Sequence, residues 1–432
     1  MLFRSSFLAL LLLAALRLPA QQAASSMQQV ASSAQQQGSV EQTAEEQVRA
    51  VVILARHGVR TPIESETRSG VFNAQPWPAW PTEPGLLTPH GIEALKRMGE
   101  FYRQRYATLL EGCSSVRVES TNVPRTIASA KAVLSVIAPS CNVEIAPDLA
   151  ADPPGIDKAK LAAAISGRMA AQPQWFTNSF ARPLAGMHDV LTSCTGCKAV
   201  PDFRTMMLAT STQAPGMIQP GASSTSHAVV PRDPARENAV ALGADFAENF
   251  LLQYTEGLAM NQVGWGRVSR AKLDELMEMN TRYHDFILRT PYYAREAAGP
   301  LAQKISSYLR DAAKDDAASH LLYLSAHDAN ITWLGGLLRI DWIVRDETIN
   351  ATPPGSALVF ELVHNRQTQT DTVRAFFIAQ TLNQIRNLTP LTGEEEPSIA
   401  PIFVPGCSGP GPEYACTLED FAQVVKEAAH AR

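Results

Sequence analysis

Two arginines flank one histidine in Arg56-His57-Gly58-Val59-Arg60-Thr61-Pro62. The planar, forked guanidinium matches the oxygens of a tetrahedral oxyanion such as phosphate. Two positive neighbours also disfavour the imidazolium form of His57, which keeps a nitrogen lone pair available for attack even in acid. Gly58 would let the backbone come close to a ligand. A second pair, His327-Asp328, offers an acid to protonate a leaving oxygen (Asp328) and a further phosphate ligand (His327). Arg125, in Thr121-Asn122-Val123-Pro124-Arg125-Thr126, adds a third guanidinium for the non-bridging oxygens. Brought together, these residues would support displacement at phosphorus by a histidine.

Each motif follows a segment that reads as a strand. Residues 48–55 form a nearly continuous apolar, β-branched run, the signature of a strand buried on both faces. Leu321–Ala326 precedes His327, and 116–119 precedes Arg125; further strands are expected at 143–146, 357–363 and 373–378. In open α/β sheets ligands bind beyond the carboxyl ends of strands, where all three motifs fall. A helix expected over 329–338 would point its N-terminus at the same place, which favours an anion. Two other His-Asp pairs lack this strand-then-helix setting: His188-Asp189 lies in a polar stretch, and His284-Asp285 on the expected solvated face of an amphipathic helix over Arg270–Leu288.

The middle of the chain is dominated by helical spacing, as in Leu242, Phe246, Phe250, Leu251 and Tyr254. The pattern predicts an α/β protein: a mainly parallel sheet flanked by helices, assembled from residues 48–156 and 303–432. A second, mostly α-helical domain, 157–302, is inserted between them. The cleft between two such domains is a common place for a ligand.

The N-terminus has Arg4, then an apolar run over 7–15 and the small residue Ala20, which reads as a secretory signal peptide over 1–20. The run is short for a retained membrane anchor, and Arg17 interrupts its end. Residues 21–47, built almost wholly from Gln, Ala, Ser and Glu, have little to bury and are expected to form a disordered tether. All six cysteines lie beyond the leader, an even number suited to disulfides in an oxidising compartment. Cys407 and Cys416 flank a Gly/Pro-rich loop and are natural partners. Cys194-Thr195-Gly196-Cys197 could be a redox motif, half of a zinc site or a local disulfide. Its polar surroundings, with no second Cys/His pair at suitable spacing, favour the disulfide. A formal charge of −5 argues against nucleic acid or an anionic membrane as partner. The chain is expected to be periplasmic or secreted, a monomer, and without stable membrane insertion once the leader is removed.

Arg56-His57-Gly58-Val59-Arg60, Pro62, Arg125 and His327-Asp328 together resemble the histidine acid phosphatase family, the acid branch of the histidine phosphatase superfamily. The likeness runs from residue 48 to the C-terminus. Segments such as Trp77-Pro78-Ala79-Trp80-Pro81, Leu87-Thr88-Pro89-His90-Gly91, Thr352-Pro353-Pro354-Gly355 and Leu358-Val359-Phe360-Glu361 are similar to parts of bacterial periplasmic phytases and glucose-1-phosphatases. The resemblance implies His57 as nucleophile, Asp328 as proton donor, and Arg56, Arg60, Arg125 and His327 as phosphate ligands. It implies no metal or other cofactor, and the disulfides Cys113–Cys141, Cys194–Cys197 and Cys407–Cys416. Two other classes share part of the pattern. A phosphoglycerate-mutase-like transferase lacks the Arg60-Thr61-Pro62 extension, and a non-catalytic phosphate-ester-binding protein would not need both His57 and Asp328.

The substrate is less sharply written. Enterobacterial phytases carry Thr-Lys where this chain has Ile63-Glu64, and a carboxylate there would repel a polyanion. Asn261-Gln262-Val263-Gly264-Trp265 is closer to the glucose-1-phosphatase side, whereas Glu248 matches a position that contributes to the phytase site. Phytate and sugar phosphates, as small-molecule phosphate monoesters, both remain in view.

Overall fold

Side chains of the segment 50–55 alternate between two apolar layers: Ala50, Val52 and Leu54 enter one core, and Val51, Ile53 and Ala55 the other. A period of two on a run buried on both sides makes this a central strand. In the computed structural model the described residues are 46–430, apart from 152, 154, 170–172, 203–238, 315–319 and 412. The expected signal peptide, 1–20, lies outside them, as does the tether apart from Glu46 and Gln47, which belong to the first strand rather than to a tether.

In chain order the N-terminal elements are β1 (Glu46–Arg56), α1 (Glu64–Thr67), α2 (Pro89–Arg105), β2 (Val116–Thr121), α3 (Pro124–Ile137) and β3 (Ile145–Leu149). A helical block follows: α4 (Lys158–Arg168), α5 (Pro173–Asn178), α6 (Ala181–Thr192), α7 (Ala239–Thr255), α8 (Arg270–Leu288) and α9 (Pro291–Lys314). The chain then returns to the sheet with β4 (Leu321–Ala326), α10 (Asp328–Leu338), β5 (Ala357–Asn365), β6 (Thr370–Ala379), α11 (Leu382–Asn387), β7 (Ser398–Pro401), β8 (Cys416–Thr417) and α12 (Leu418–His430).

The strands form one mixed sheet in the order β3-β2-β4-β1-β5-β6-β7, with β8 beside β6. β1, β2, β3 and β4 pair in parallel, while β6 pairs antiparallel with β5, β7 and β8. The α/β class with an inserted helical block is therefore present, its sheet parallel in the half that bears the three motifs and antiparallel in the other. β3 is displaced by two residues from the expected 143–146, because this edge strand is half exposed and carries no clean apolar alternation. The insertion was expected over 157–302. Asp157 caps α4, its carboxylate accepting from the amides of Ala159 and Lys160. At the other end α9 runs unbroken past 302. Its internal Pro300 lies on an exposed face, where the carbonyl left without a helix donor can meet water.

Cys113–Cys141, Cys194–Cys197 and Cys407–Cys416 are bonded. Cys113–Cys141 ties the approach to β2 to the end of α3, across 28 residues. A loop of that size constrains the unfolded chain by about 3–4 kcal/mol in the chain-entropy account.

Candidate active site

The parallel register brings the motifs to one edge. Arg56 pairs with Ala326 across β1 and β4, and Ser120 with Ser325 across β2 and β4. His57, Thr121 and His327 thus emerge side by side at the carboxyl ends of three adjacent strands. All of Arg56, His57, Arg60, Arg125 and His327 are buried.

The loop after β1 is shaped by its neighbours. The amide of His57 donates to Ala326 O at 3.0 Å, that of Gly355 donates to His57 O at 3.1 Å, and that of Gly58 donates to Ser129 Oγ at 3.1 Å. Gly58 was expected to admit a ligand. Its Cα instead faces α2, where a Cβ would lie 2.7 Å from Leu95 and 3.1 Å from the carbonyl of Gly91. At Gly91 the crowding is worse, because a Cβ would lie 2.2 Å from Val59 O. Gly91→Ala should therefore push the loop off α2, lowering stability by about 1–3 kcal/mol and reducing kcat/KM with it. Thermal unfolding alongside steady-state rates checks this.

His57 Nδ1 lies 2.8 Å from Gly58 O, so Nδ1–H donates there and Nε2 keeps its lone pair. Burial pushes the His57 imidazole well below its ordinary value, and the guanidiniums of Arg125, Arg60 and Arg56 push it further. The ring of His327 stands edge-on to that of His57, with centroids 5.6 Å apart. Arg125 Nη2 donates to His327 Nδ1 at 3.2 Å, which leaves His327 Nε2–H to donate to Thr121 Oγ1 at 3.0 Å. Both ring nitrogens are engaged within the protein, so His327 holds Arg125 in place here. Burial and Arg125 lower His327 to about 3.

Asp328 is the first residue of α10 and accepts from the Ala329 amide at 2.8 Å. Its Oδ2 is 3.5 Å from Arg56 Nη2. Burial would raise Asp328, but Arg56, His284 and His327 outweigh it and hold the carboxyl well below the ordinary range. The influence of His284 corrects the expectation of a solvated face for His284-Asp285. Both residues are half-buried, α8 packs against α10, and Asp285 accepts a hydrogen bond from Asn350. His188 lies on α6 and faces Asp202 at 3.4 Å, in the helical block.

Two carboxylates hold the arginines of the loop. Glu248 on α7, set down above as a specificity candidate, is 5 % exposed and accepts from Arg56 Nη2, while Arg56 Nη1 donates to Thr352 O. Burial raises Glu248 despite the pull of Arg56. Glu66 was not foreseen. Its Oε2 accepts from Arg60 Nη1 at 2.7 Å and its Oε1 from Arg60 Nη2 at 2.5 Å. No periodic signal marks it; the only hint was an acid shortly after a buried cation. Glu64 is exposed at the head of α1 and accepts from Ser69 Oγ at 2.5 Å, and Ile63 is half-buried. The Thr352–Gly355 segment, quoted above only for its likeness, thus supplies a carbonyl for Arg56 and an amide for His57 O.

The arrangement offers a buried, uncharged imidazole nitrogen among three guanidiniums, with a carboxyl beside them: the apparatus for nucleophilic substitution at a phosphate ester. Residues 47–378 match the model of the histidine phosphatase superfamily (branch 2). Over 411 residues the chain is 28% identical to Phytase AppA of Escherichia coli, covering 89% of this chain and 92% of that protein. It is 24% identical over 405 residues to the glucose-1-phosphatase of Salmonella typhimurium, covering 90% and 94%. Among solved structures, Hafnia alvei phytase in complex with tartrate superimposes with a TM-score of 0.73 at 27% identity, covering 90% of this chain and 98% of that one.

Proposed function

The chain belongs to branch 2 of the histidine phosphatase superfamily and is a phytase-like acid phosphatase acting on phosphate monoesters, and we propose that it works through a covalent phosphohistidine on His57. The observation that carries this reading is the committed tautomer of His57. With Nδ1–H donated to Gly58 O, Nε2 has a lone pair in a pocket of three arginines.

In the proposed cycle Nε2 attacks phosphorus and forms the P–N bond as the ester P–O bond breaks. Arg56, Arg60 and Arg125, with His327 behind Arg125, neutralise the charge on the non-bridging oxygens. The departing alkoxide takes the proton of Asp328. Water then attacks phosphorus, Asp328 accepts its proton, and the P–N bond breaks to release inorganic phosphate and restore Nε2. An acidic optimum follows, since His57 stays uncharged in acid while Asp328 must be protonated to act.

Phytate and sugar phosphates are the proposed substrates. An exposed Glu64 where phytases carry a cation favours esters bearing one phosphate, as does the half-buried, apolar Ile63. The three disulfides fit an oxidising compartment, so we place the working enzyme in the periplasm or outside the cell. No helix among the described residues is long and apolar enough to cross a membrane.

The test is phosphate release at acidic pH in EDTA from phytate, glucose 1-phosphate and an aryl phosphate. Rapid denaturing quench at alkaline pH, which preserves phosphohistidine, accompanies it. Release that survives EDTA, with acid-labile label reaching at most one phosphate per chain, is expected. Loss of activity in EDTA, or turnover with no label at any time, would overturn the mechanism.

A further inference from the structure

Arg60 and Glu66 are each 4% exposed and meet fork to fork through two parallel hydrogen bonds. Glu66 Oε2 also accepts from the Ile63 amide at 2.9 Å, closing the start of α1. From α7, Asn249 Nδ2 donates to the backbone carbonyl of Glu66 at 2.9 Å, while its neighbour Glu248 holds Arg56. Two consecutive residues of one helix thus fix both arginines of the loop, one through a carboxylate and one through the backbone of a second carboxylate residue. Protein acceptors engage the terminal nitrogens of Arg56 and Arg60, yet among the described residues nothing accepts from either buried Nε. The Nε donor of each arginine is therefore not spent on a protein acceptor.

Charge adds a second consequence. Arg56, Arg60 and Arg125 face Glu66, Glu248 and Asp328, three against three. A single phosphate still finds directed donors at contact distance, where hydrogen bonding dominates. Additional phosphates on the same molecule, several ångströms away, respond to the summed field. In the free enzyme, with Asp328 ionised, that field is close to balanced, and without the Glu66 carboxylate it would be more positive by one charge.

We propose that Glu66 is a positioning residue that holds the Arg60 guanidinium in place for the phosphate and, by offsetting its charge, biases the enzyme toward substrates with one phosphate. The proposal rests on the reading of this cluster as the phosphate site.

Glu66→Gln keeps the shape and an acceptor for Ile63 but removes the charge, whereas Glu66→Asp keeps the charge but is too short to hold the fork. kcat/KM for phytate and glucose 1-phosphate, measured at low ionic strength, reads both roles. Glu66→Gln should raise the phytate to glucose 1-phosphate ratio of kcat/KM about fivefold or more, an advantage that added salt erodes. Glu66→Asp should raise KM for glucose 1-phosphate about tenfold with a smaller change in kcat, leaving the ratio near that of the wild type. A merely structural glutamate would lower both substrates by one factor in both variants, and that result overturns the proposal. If Glu66→Gln does not fold, the wild-type salt series still decides. A balanced site gives phytate no steeper salt dependence than glucose 1-phosphate, and a clearly steeper one refutes it. Wild-type protein inactive on both esters would instead refute the phosphatase reading beneath.

Discussion

His57→Ala lowers phosphate release from every monoester by at least about four orders of magnitude, with no trapped phosphoenzyme. No other uncharged nitrogen in the cluster can take over. His327 has both ring nitrogens engaged, with Arg125 and Thr121, and the guanidiniums have no lone pair to offer. Stability should fall only modestly, by about 1–3 kcal/mol, the cost of the cavity left by a buried ring. Among the described residues the His57 side chain hydrogen-bonds only to the neighbouring Gly58 O, and because the ring is uncharged its loss breaks no ion pair. The variant leaves a space the size of the lost ring beside the arginines, so added imidazole should restore part of the rate. A variant within tenfold of the wild type would mean that phosphoryl transfer bypasses His57.

Much of this site was legible because strong local patterns carried it. A short, nearly continuous apolar run rich in β-branched residues reads as a buried strand, and a polar, cationic motif directly after such a strand must sit at its carboxyl end. Three such junctions then converge through parallel pairing, as the pairing of Arg56 with Ala326 does. What stayed hidden depends on tertiary geometry. Glu66 lies on a four-residue helix too short to show a period, and only the turn of the chain after Pro62 folds it back onto Arg60. His284 occupies a polar position on an amphipathic helix, which the 3.6-residue period assigns to solvent. Because α8 packs against α10, that polar face borders the site instead. β7 and β8, of four and two residues, are too short to show alternation. Gly58 shows the same limit from the other side: its residue type announced close approach, but only packing against α2 says to what.

Asp328→Asn separates the chemistry of the leaving group from that of phosphorus. An alkoxide leaving from a sugar or inositol is strongly basic and needs a proton as the P–O bond breaks, whereas an aryl oxide leaves largely unaided. The variant should therefore lose about 10²- to 10⁴-fold in kcat on glucose 1-phosphate or phytate and far less in phosphorylation by an aryl phosphate. Asp328 also takes the proton of the attacking water, so the aryl reaction should stall at the phosphoenzyme and raise the trapped label. The pH dependence has a definite sign. In the free enzyme Arg56, with His284 and His327, holds Asp328 ionised despite burial. A bound phosphate adds negative charge beside it and engages the same arginines, which raises Asp328 in the complex. In the wild type, kcat for alcohol esters should then be highest in acid and fall as pH rises through that raised value. In Asp328→Asn this alkaline limb should be missing. Were the variant to keep its full rate on alcohol esters, the proton would have to come from elsewhere. Glu248, raised by its burial and in contact with Arg56, is the carboxyl that would then have to supply it.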